Sequence, residues 1–286
     1  MGVAVVAVVV THRGSGEMLE QCLASLRAEG VDTIVVDNSD VAQSTGDDPG
    51  SNTRTLVVRN EGFGAAANAG FEAARRHGAD VFVLLNDDVV VRPGWLAPLV
   101  DELAATDVGA VQPLLVFAGT SKVNSLGVQV GADGAGTDIG LGIAVDEVGT
   151  DARDIEIFTG GAVAFRREFI DATGGFDERY FLYYEDVDLA RRGAHLGWRY
   201  RCAPSSVVEH RKGASTDQLG DRLVYLRERN RLWSAFRNES ASVVVRAVWL
   251  SLRRVRHTPL LTHLRALATG VAGGLWRLVE RASATR

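Results

Sequence analysis

The chain has 286 residues, of which 46% are hydrophobic and 23% charged, a globular balance that excludes wholesale disorder and suits one large domain or a domain with an appendage. The net charge of −5 hides an asymmetry: residues 222–286 hold 13 arginines against three acids (Glu228, Glu239, Glu280), so they carry +10 and residues 1–221 carry −15. An acidic body argues against nucleic acid as the main partner, and the basic tail reads as a part with its own task.

Val3–Val10 is a continuous β-branched run, as expected of a buried parallel strand. It is too short to span a membrane and lacks the flanks of a signal peptide, so none is expected. Glu17–Ala28 sets Leu19, Cys22, Leu23 and Leu26 on one helical face. Thr33–Val36 is a second strand ending at Asp37-Asn38, Ser39–Thr53 a loop, and Leu56–Val58 a third strand. Gly62-Phe63-Gly64 opens an Ala-rich helix, Ala65–His77, and Val81–Leu85 is a strand ending at Asn86-Asp87-Asp88. Trp95–Ala105 is helical after Pro93-Gly94, and Val108–Leu114 is a fifth strand. This alternation predicts a mostly parallel α/β sheet flanked by helices.

Phe117–Asp154 is Gly- and Asp-rich and reads as loops and short strands. Phe158–Phe165 reads as a strand broken by Gly160-Gly161, Glu185–Leu196 as a helix, and Trp198–Cys202 and Val207-Val208 as extended pieces. Leu223–Phe236, Val243–Val255 and Leu260–Val279 form a C-terminal helical extension. The expected division is residues 1–215 and a basic amphipathic region, 216–286. Two cysteines, Cys22 and Cys202, give no disulfide framework and no zinc cluster, which fits a reducing cytoplasmic compartment.

In open α/β sheets, ligands sit at the carboxyl ends of strands. Asn86-Asp87-Asp88 follows an apolar strand directly, and its adjacent carboxylates repel one another unless a cation such as Mg²⁺ or Mn²⁺ offsets them. The alternative is a solvated turn capped by Asp88. Tyr183-Tyr184-Glu185-Asp186-Val187-Asp188 puts three acids in a first helical turn, where the dipole favours them. Asp188 fits that role, while Glu185 or Asp186 at a desolvated rim could act as general base. His210 is a surface or core histidine, or a Mn²⁺ ligand beside the acids. Gly62-Phe63-Gly64 lacks both the Lys-Ser/Thr of a P-loop and the third glycine of a dinucleotide fingerprint.

Taken together, the segments Val8–Arg13, Val35–Ser39, Arg59–Gly64, Leu84–Asp88, Phe158–Ala162, Gly174–Glu178 and Phe181–Asp188, in this order, resemble family 2 glycosyltransferases with the GT-A fold, the rhamnosyltransferase-like branch in particular. The resemblance covers residues 3–236, and Tyr225–Arg237 is similar to that branch's Arg-Asn-Arg helix. It implies that Thr11, Arg13 and Asp37 line the nucleotide base and ribose, and that Asn60 and Gly62 approach the donor. Asn86-Asp87-Asp88 stands at the family's Asp-x-Asp motif. Asp88 would bind the metal, Asp87 the ribose or the metal, and Asn86, replacing the first Asp, belongs with the nucleotide side. Gly160 and Gly161 would meet the donor sugar or acceptor through backbone. Asp186 matches the catalytic base with Glu185 beside it, and His210 completes the Mn²⁺ or Mg²⁺ site.

The implied activity is inverting transfer from a nucleotide-sugar, dTDP-L-rhamnose by branch, to a glycan, lipid-linked saccharide or small natural product. A UDP-sugar such as a galactofuranose donor is the alternative, followed by a nucleotidyltransferase or an inactive scaffold. The C-terminal helices carry Trp249, Leu250, Leu252, Leu264, Leu267, Val271, Leu275, Trp276 and Leu278 among arginines. Two roles stay open for them: peripheral contact with the inner face of the plasma membrane, or packing on the body or in a homodimer.

Overall fold

The computed structural model describes residues 3–12, 16–39, 52–211, 220–254 and 259–284. Its first half runs β1 (Val5–Thr11), α1 (Glu17–Ala28), β2 (Asp32–Asp37), β3 (Thr53–Val57), α2 (Phe63–Arg76), β4 (Val81–Asn86), β5 (Val89–Val91), α3 (Leu96–Glu102) and β6 (Val108–Phe117). Then follow β7 (Val123–Ser125), β8 (Val128–Val130), β9 (Gly136–Asp138), β10 (Arg153–Ile155), β11 (Ala162–Arg166), α4 (Arg167–Thr173), α5 (Glu185–His195) and β12 (Arg199–His210). Three helices close the chain: α6 (Gly220–Asn238), α7 (Ala241–Arg254) and α8 (Leu260–Ala284).

The main sheet has the order β10-β12-β6-β11-β4-β1-β2-β3, with β5 paired to β12 and β7 to β6. Along that path β3-β2-β1-β4 and β6-β12 pair in parallel, whereas β11 runs antiparallel between β4 and β6. The β-branched run of β1 is buried on both faces. Val6, Val8 and Val10 join Phe63, Ala66 and Phe71 of α2 in one core, and Ala7 and Val9 join Leu19, Cys22 and Leu26 of α1 in the other. Sandwiching between helices is what an uninterrupted apolar strand requires. Both cysteines are free and buried.

Three departures from the sequence reading position the site. The extended pieces at 199–202 and Val207-Val208 belong to a single strand, β12, which carries Pro204 through a register shift between Ala203 and Val207, a place where proline costs no ladder bond. Val89–Val91, which the sequence reading leaves unassigned, is a short strand. It pairs antiparallel with β12 in a register that sets Val89 opposite His210, so Asp88 arrives beside that histidine. Gly160-Gly161 precede β11 instead of interrupting it.

The C-terminal helices pack on one another and on the body. A Cβ at Gly270, Gly273 or Gly274 of α8 would overlap Leu232, Trp233 or Phe236 of α6, so bare glycine backbone lets the two helices meet. Arg237 and Asn238 at the end of α6 reach the fully buried Asp188 of α5, which also accepts from Arg192 Nε at 2.8 Å and Tyr180 Oη at 3.2 Å. Asp188 is thus a structural ion-pair centre, beyond the dipole role expected from its place in the first turn.

Candidate active site

Parallel register gathers the polar strand ends at one edge. Thr11 lies opposite Asp37, and Val10 opposite Asn86. Thr11 and Asp37 are buried, and Asp37 Oδ1 accepts the Ser39 N–H at 2.8 Å, turning the chain out of β2. Asn38, at the same strand end, donates Nδ2 to Gly62 O at 3.3 Å and has a buried Oδ1 without a hydrogen-bond partner. Asn60 is half-buried beside this loop. Gly62 has φ 104°, and a Cβ there would overlap Phe181 O; its bareness serves an approach between two protein segments, with Phe63 N–H donating to Phe181 O at 2.7 Å. Arg13 lies outside the described residues.

The second corner is built from Asn86-Asp87-Asp88, Gly161 and His210. Asn86 N–H donates to Gly161 O at 3.1 Å. Asp87 and Asp88 are both buried. Together with burial, which contributes more, their charges push the neighbouring Cys22 thiol well above its usual range. His210 Nε2 stands 3.3 Å from Asp88 Oδ1, and His210 Nδ1 lies 2.9 Å from Asn124 Oδ1. As the Asn124 amide is oriented, its oxygen accepts Nδ1–H, leaving the Nε2 lone pair facing Asp88. Asp88 Oδ1 has no hydrogen-bond partner. Two lone-pair atoms held together in a buried corner suit a shared cation, and the O and N donors suit Mg²⁺ or Mn²⁺. Among the described residues, no three His, Cys, Asp or Glu side chains group as a metal cage. Such a cation would therefore draw further ligands from phosphate and water, the habit of Mg²⁺. Asn124 was invisible in sequence because it sits in the irregular 117–154 stretch without a motif.

Asp186 forms the third corner. Its Oδ2 accepts the Gly160 N–H at 3.0 Å and its Oδ1 the Val187 N–H at 2.8 Å. The adjacent Gly161 lies over the metal corner, its Cα–H side 3.6 Å from His210 Cε1 and 3.9 Å from Asn86 Nδ2 when measured from an added Cβ. The Gly160-Gly161 pair therefore connects the Asp186 carboxylate to the Asp88–His210 pair. An ionised carboxylate offers about four lone-pair positions, so two remain on Asp186 for a substrate proton.

Glu185 differs sharply from its neighbour. It is buried, and Oε2 has no hydrogen-bond partner. Burial first, and the Asp186 charge second, push its carboxyl from 4.5 to about 8. Burial raises Asp186 too, but the Gly160 and Val187 N–H groups oppose it. Of the two, Glu185 is the one that keeps its proton at neutral pH, a division expected of close carboxyls in unequal surroundings. The folded chain then holds a proton that the unfolded chain releases above about pH 4.5. This contribution to stability is full below about 4.5 and is lost as pH rises through about 8. The urea midpoint should accordingly fall across that window, and Glu185→Gln should flatten the fall; an equally steep fall in the variant would refute the assignment.

The segment leading into α5 is strained. Phe181, Tyr183 and Tyr184 all have positive φ, of 68°, 71° and 69°. Such conformations cost non-glycine residues about 1–3 kcal/mol each and gather at functional sites.

Comparisons with known proteins come from three directions. The family model described as "Glycosyltransferase like family 2" matches residues 4–233. An N-acetylglucosaminyl-diphospho-decaprenol L-rhamnosyltransferase of Mycobacterium tuberculosis is 29% identical over 239 residues, covering 74% of this chain and 78% of that protein. Among solved structures, GalNAc-T7 with UDP, GalNAc and Mn²⁺ superposes with a TM-score of 0.67 at 15% identity, covering 93% of this chain and 53% of the other. The mannosyltransferase PcManGT from Pyrobaculum calidifontis, in complex with GDP-Man and Mn²⁺, gives 0.58 at 20% identity, covering 98% and 79%.

Proposed function

Because the chain belongs to the glycosyltransferase like family 2 and is a glycosyltransferase with the GT-A fold, we propose that it transfers L-rhamnose from dTDP-rhamnose, with inversion and with a divalent cation, to a hydroxyl of a lipid-linked saccharide in envelope assembly. The transferred sugar and the lipid-linked acceptor follow the name of the mycobacterial relative, and the dTDP donor follows the resemblance of the strand-end motifs to the rhamnosyltransferase-like branch. The observation that carries the mechanism is the juxtaposition of Asp186 with the Asp88–His210 pair across Gly160-Gly161.

Thr11 and Asp37, with Arg13, line the base and ribose, and Asn60 and Asn86 face the donor. Asp88 and His210 would hold Mn²⁺ or Mg²⁺, which when bound supplies positive charge against the departing diphosphate, and Asp87 takes the ribose side. Asp186 takes the proton of the acceptor hydroxyl as that oxygen bonds to the anomeric carbon from the face opposite the diphosphate. The bond from that carbon to the diphosphate oxygen breaks, and the nucleotide leaves with the electron pair. Glu185, neutral beside Asp186, adds no second negative charge next to the base.

The test is calorimetric titration of dTDP, UDP and GDP, each with and without Mn²⁺. Metal-dependent binding of dTDP above the others supports the reading. Preference for UDP moves the donor to a UDP-sugar such as UDP-galactofuranose, and absence of binding by all three overturns the transferase mechanism.

The membrane side of the proposal rests on the outer face of α7 and α8. No helix among the described residues is long and apolar enough to cross a bilayer. Yet Val245, Trp249 and Leu252 of α7 and Leu261, Leu264, Leu275 and Val279 of α8 are exposed at helical spacing. Exposed Arg246, Arg253 and Arg265 accompany them, and residues 241–286 contain eight arginines and one acid, Glu280. Apolar stripes flanked by arginine suit an anionic lipid surface. Co-flotation with phosphatidylglycerol vesicles is expected, and the triple variant Trp249→Glu, Leu261→Glu, Leu275→Glu should lose it. Vesicle-independent dimerisation through the same face, seen by sedimentation, would overturn this placement.

A further inference from the structure

We propose that Asn230 of α6 is a positioning residue, which clamps the strained segment Tyr180–Tyr184 and thereby fixes Asp186 for catalysis. The inference rests on the reading of Asp186 as base. It ties the C-terminal helical region to the chemistry of the sheet domain.

The backbone of this segment is unusual. Phe181 combines φ 68° with ψ −57°, and Leu182 N–H donates to Tyr180 O at 2.9 Å. That is a γ-turn of the rare positive-φ hand. Tyr183 and Tyr184 follow in the left-handed region, and Tyr184, at φ 69° and ψ −2°, is the N-cap of α5. The direction in which α5 departs, and with it the position of Asp186 in its first turn, is therefore set by conformations these side chains resist. Such a segment persists only if its surroundings over-determine it.

Asn230 supplies that determination. It is fully buried. Its Nδ2 lies 2.9 Å from Tyr180 O, 2.8 Å from Leu182 O and 2.8 Å from Tyr183 O, so its two N–H groups are shared among three carbonyls of the segment. Its Oδ1 accepts from Arg229 Nε at 2.8 Å, which fixes the amide's orientation. Arg229 Nη2 adds a bond to Tyr180 O at 2.9 Å. The flanking arginines hold the side chains: Arg227 lies 4.4 Å from the Tyr183 ring centre and Arg222 4.5 Å from that of Phe181. From the opposite side Phe181 O takes the Phe63 N–H beside Gly62. The segment is gripped between the donor-side loop and α6, and Asn230 is its main polar contact with α6.

Asn230→Asp keeps the shape, removes the donors and sets a carboxylate against three carbonyl oxygens. Asn230→Gln keeps the donors on a longer arm. The full chain is assayed with dTDP-rhamnose, Mn²⁺ and a short-chain polyprenyl diphospho-N-acetylglucosamine. Misplacement by about 1 Å costs about 10²-fold in rate, so Asn230→Asp is expected to lower kcat by about that factor, with Mn²⁺-dependent dTDP binding retained and Asn230→Gln intermediate. In hydrogen exchange, amides of residues 182–187 should lose protection while those of β1 and β4 keep theirs. Parental kcat in Asn230→Asp overturns the proposal, as does a loss of kcat matched by equal loss of dTDP affinity and of sheet protection. Unchanged exchange at 182–187 overturns it whatever the activity. An active Asp186→Asn variant sinks the base assignment instead, and the exchange arm still reads the clamp.

Discussion

Asp186→Asn is expected to lower transfer by about 10²–10⁴-fold, the range a general base contributes, while Mn²⁺-dependent dTDP binding persists. The substitution preserves size and lets the remaining oxygen accept one of the two backbone N–H groups that hold the carboxylate, Gly160 at 3.0 Å or Val187 at 2.8 Å. What it removes is a group able to take a proton. Glu185 cannot substitute for it: that side chain is buried with its Oε2 unpartnered, and burial, the larger cause of its raised pKa, persists in the variant. The measurement is kcat by nucleotide release, beside calorimetry of dTDP binding. A fully active variant would show that the acceptor proton leaves by another route. Lost binding would mean that Asp186 supports the donor site rather than the acceptor.

The alternation of strand and helix in the first half was legible because each buried strand is a run of β-branched residues and each helix shows one apolar face. The strand-end motifs also fall on one edge, since parallel register alone aligns Thr11, Asp37 and Asn86. Less legible was everything that depends on contacts distant in sequence. Val89–Val91 is too short to announce itself, and its pairing with β12 is what sets Asp88 against His210. Pro204-Ser205-Ser206 reads as a break, but the bulge carries the strand through. Gly62 reads as a ligand-approach glycine, whereas its neighbour is Phe181, more than a hundred residues away. Asn124 and Asn230 are single amides whose importance lies entirely in which groups they meet. The Arg-Asn-Arg resemblance marked the helix bearing Asn230 without giving the reason for it.

Asp88→Asn is expected to abolish most of the gain in dTDP affinity that Mn²⁺ brings, and His210→Ala should do the same in part. The corner contains few protein donors: among the described residues no third His, Cys, Asp or Glu completes a cage. A cation held by so few groups depends strongly on each one, and its remaining ligands must come from phosphate oxygens and water. Metal affinity and nucleotide affinity are then reciprocally coupled, each raising the other by the same factor. Removing the buried Asp88 carboxylate should therefore shrink both sides of that coupling while metal-free dTDP binding stays near the parental value. Asn124→Ala provides the finer test. It leaves both ligands in place but frees the His210 tautomer and ring orientation that Asn124 Oδ1 fixes at 2.9 Å, and loss of such a partner costs about 10–100-fold in metal affinity. Titrating Mn²⁺ at fixed dTDP in the three variants gives the ordering directly, with Asp88→Asn the weakest. Parental Mn²⁺ affinity in Asp88→Asn would remove the metal from this corner.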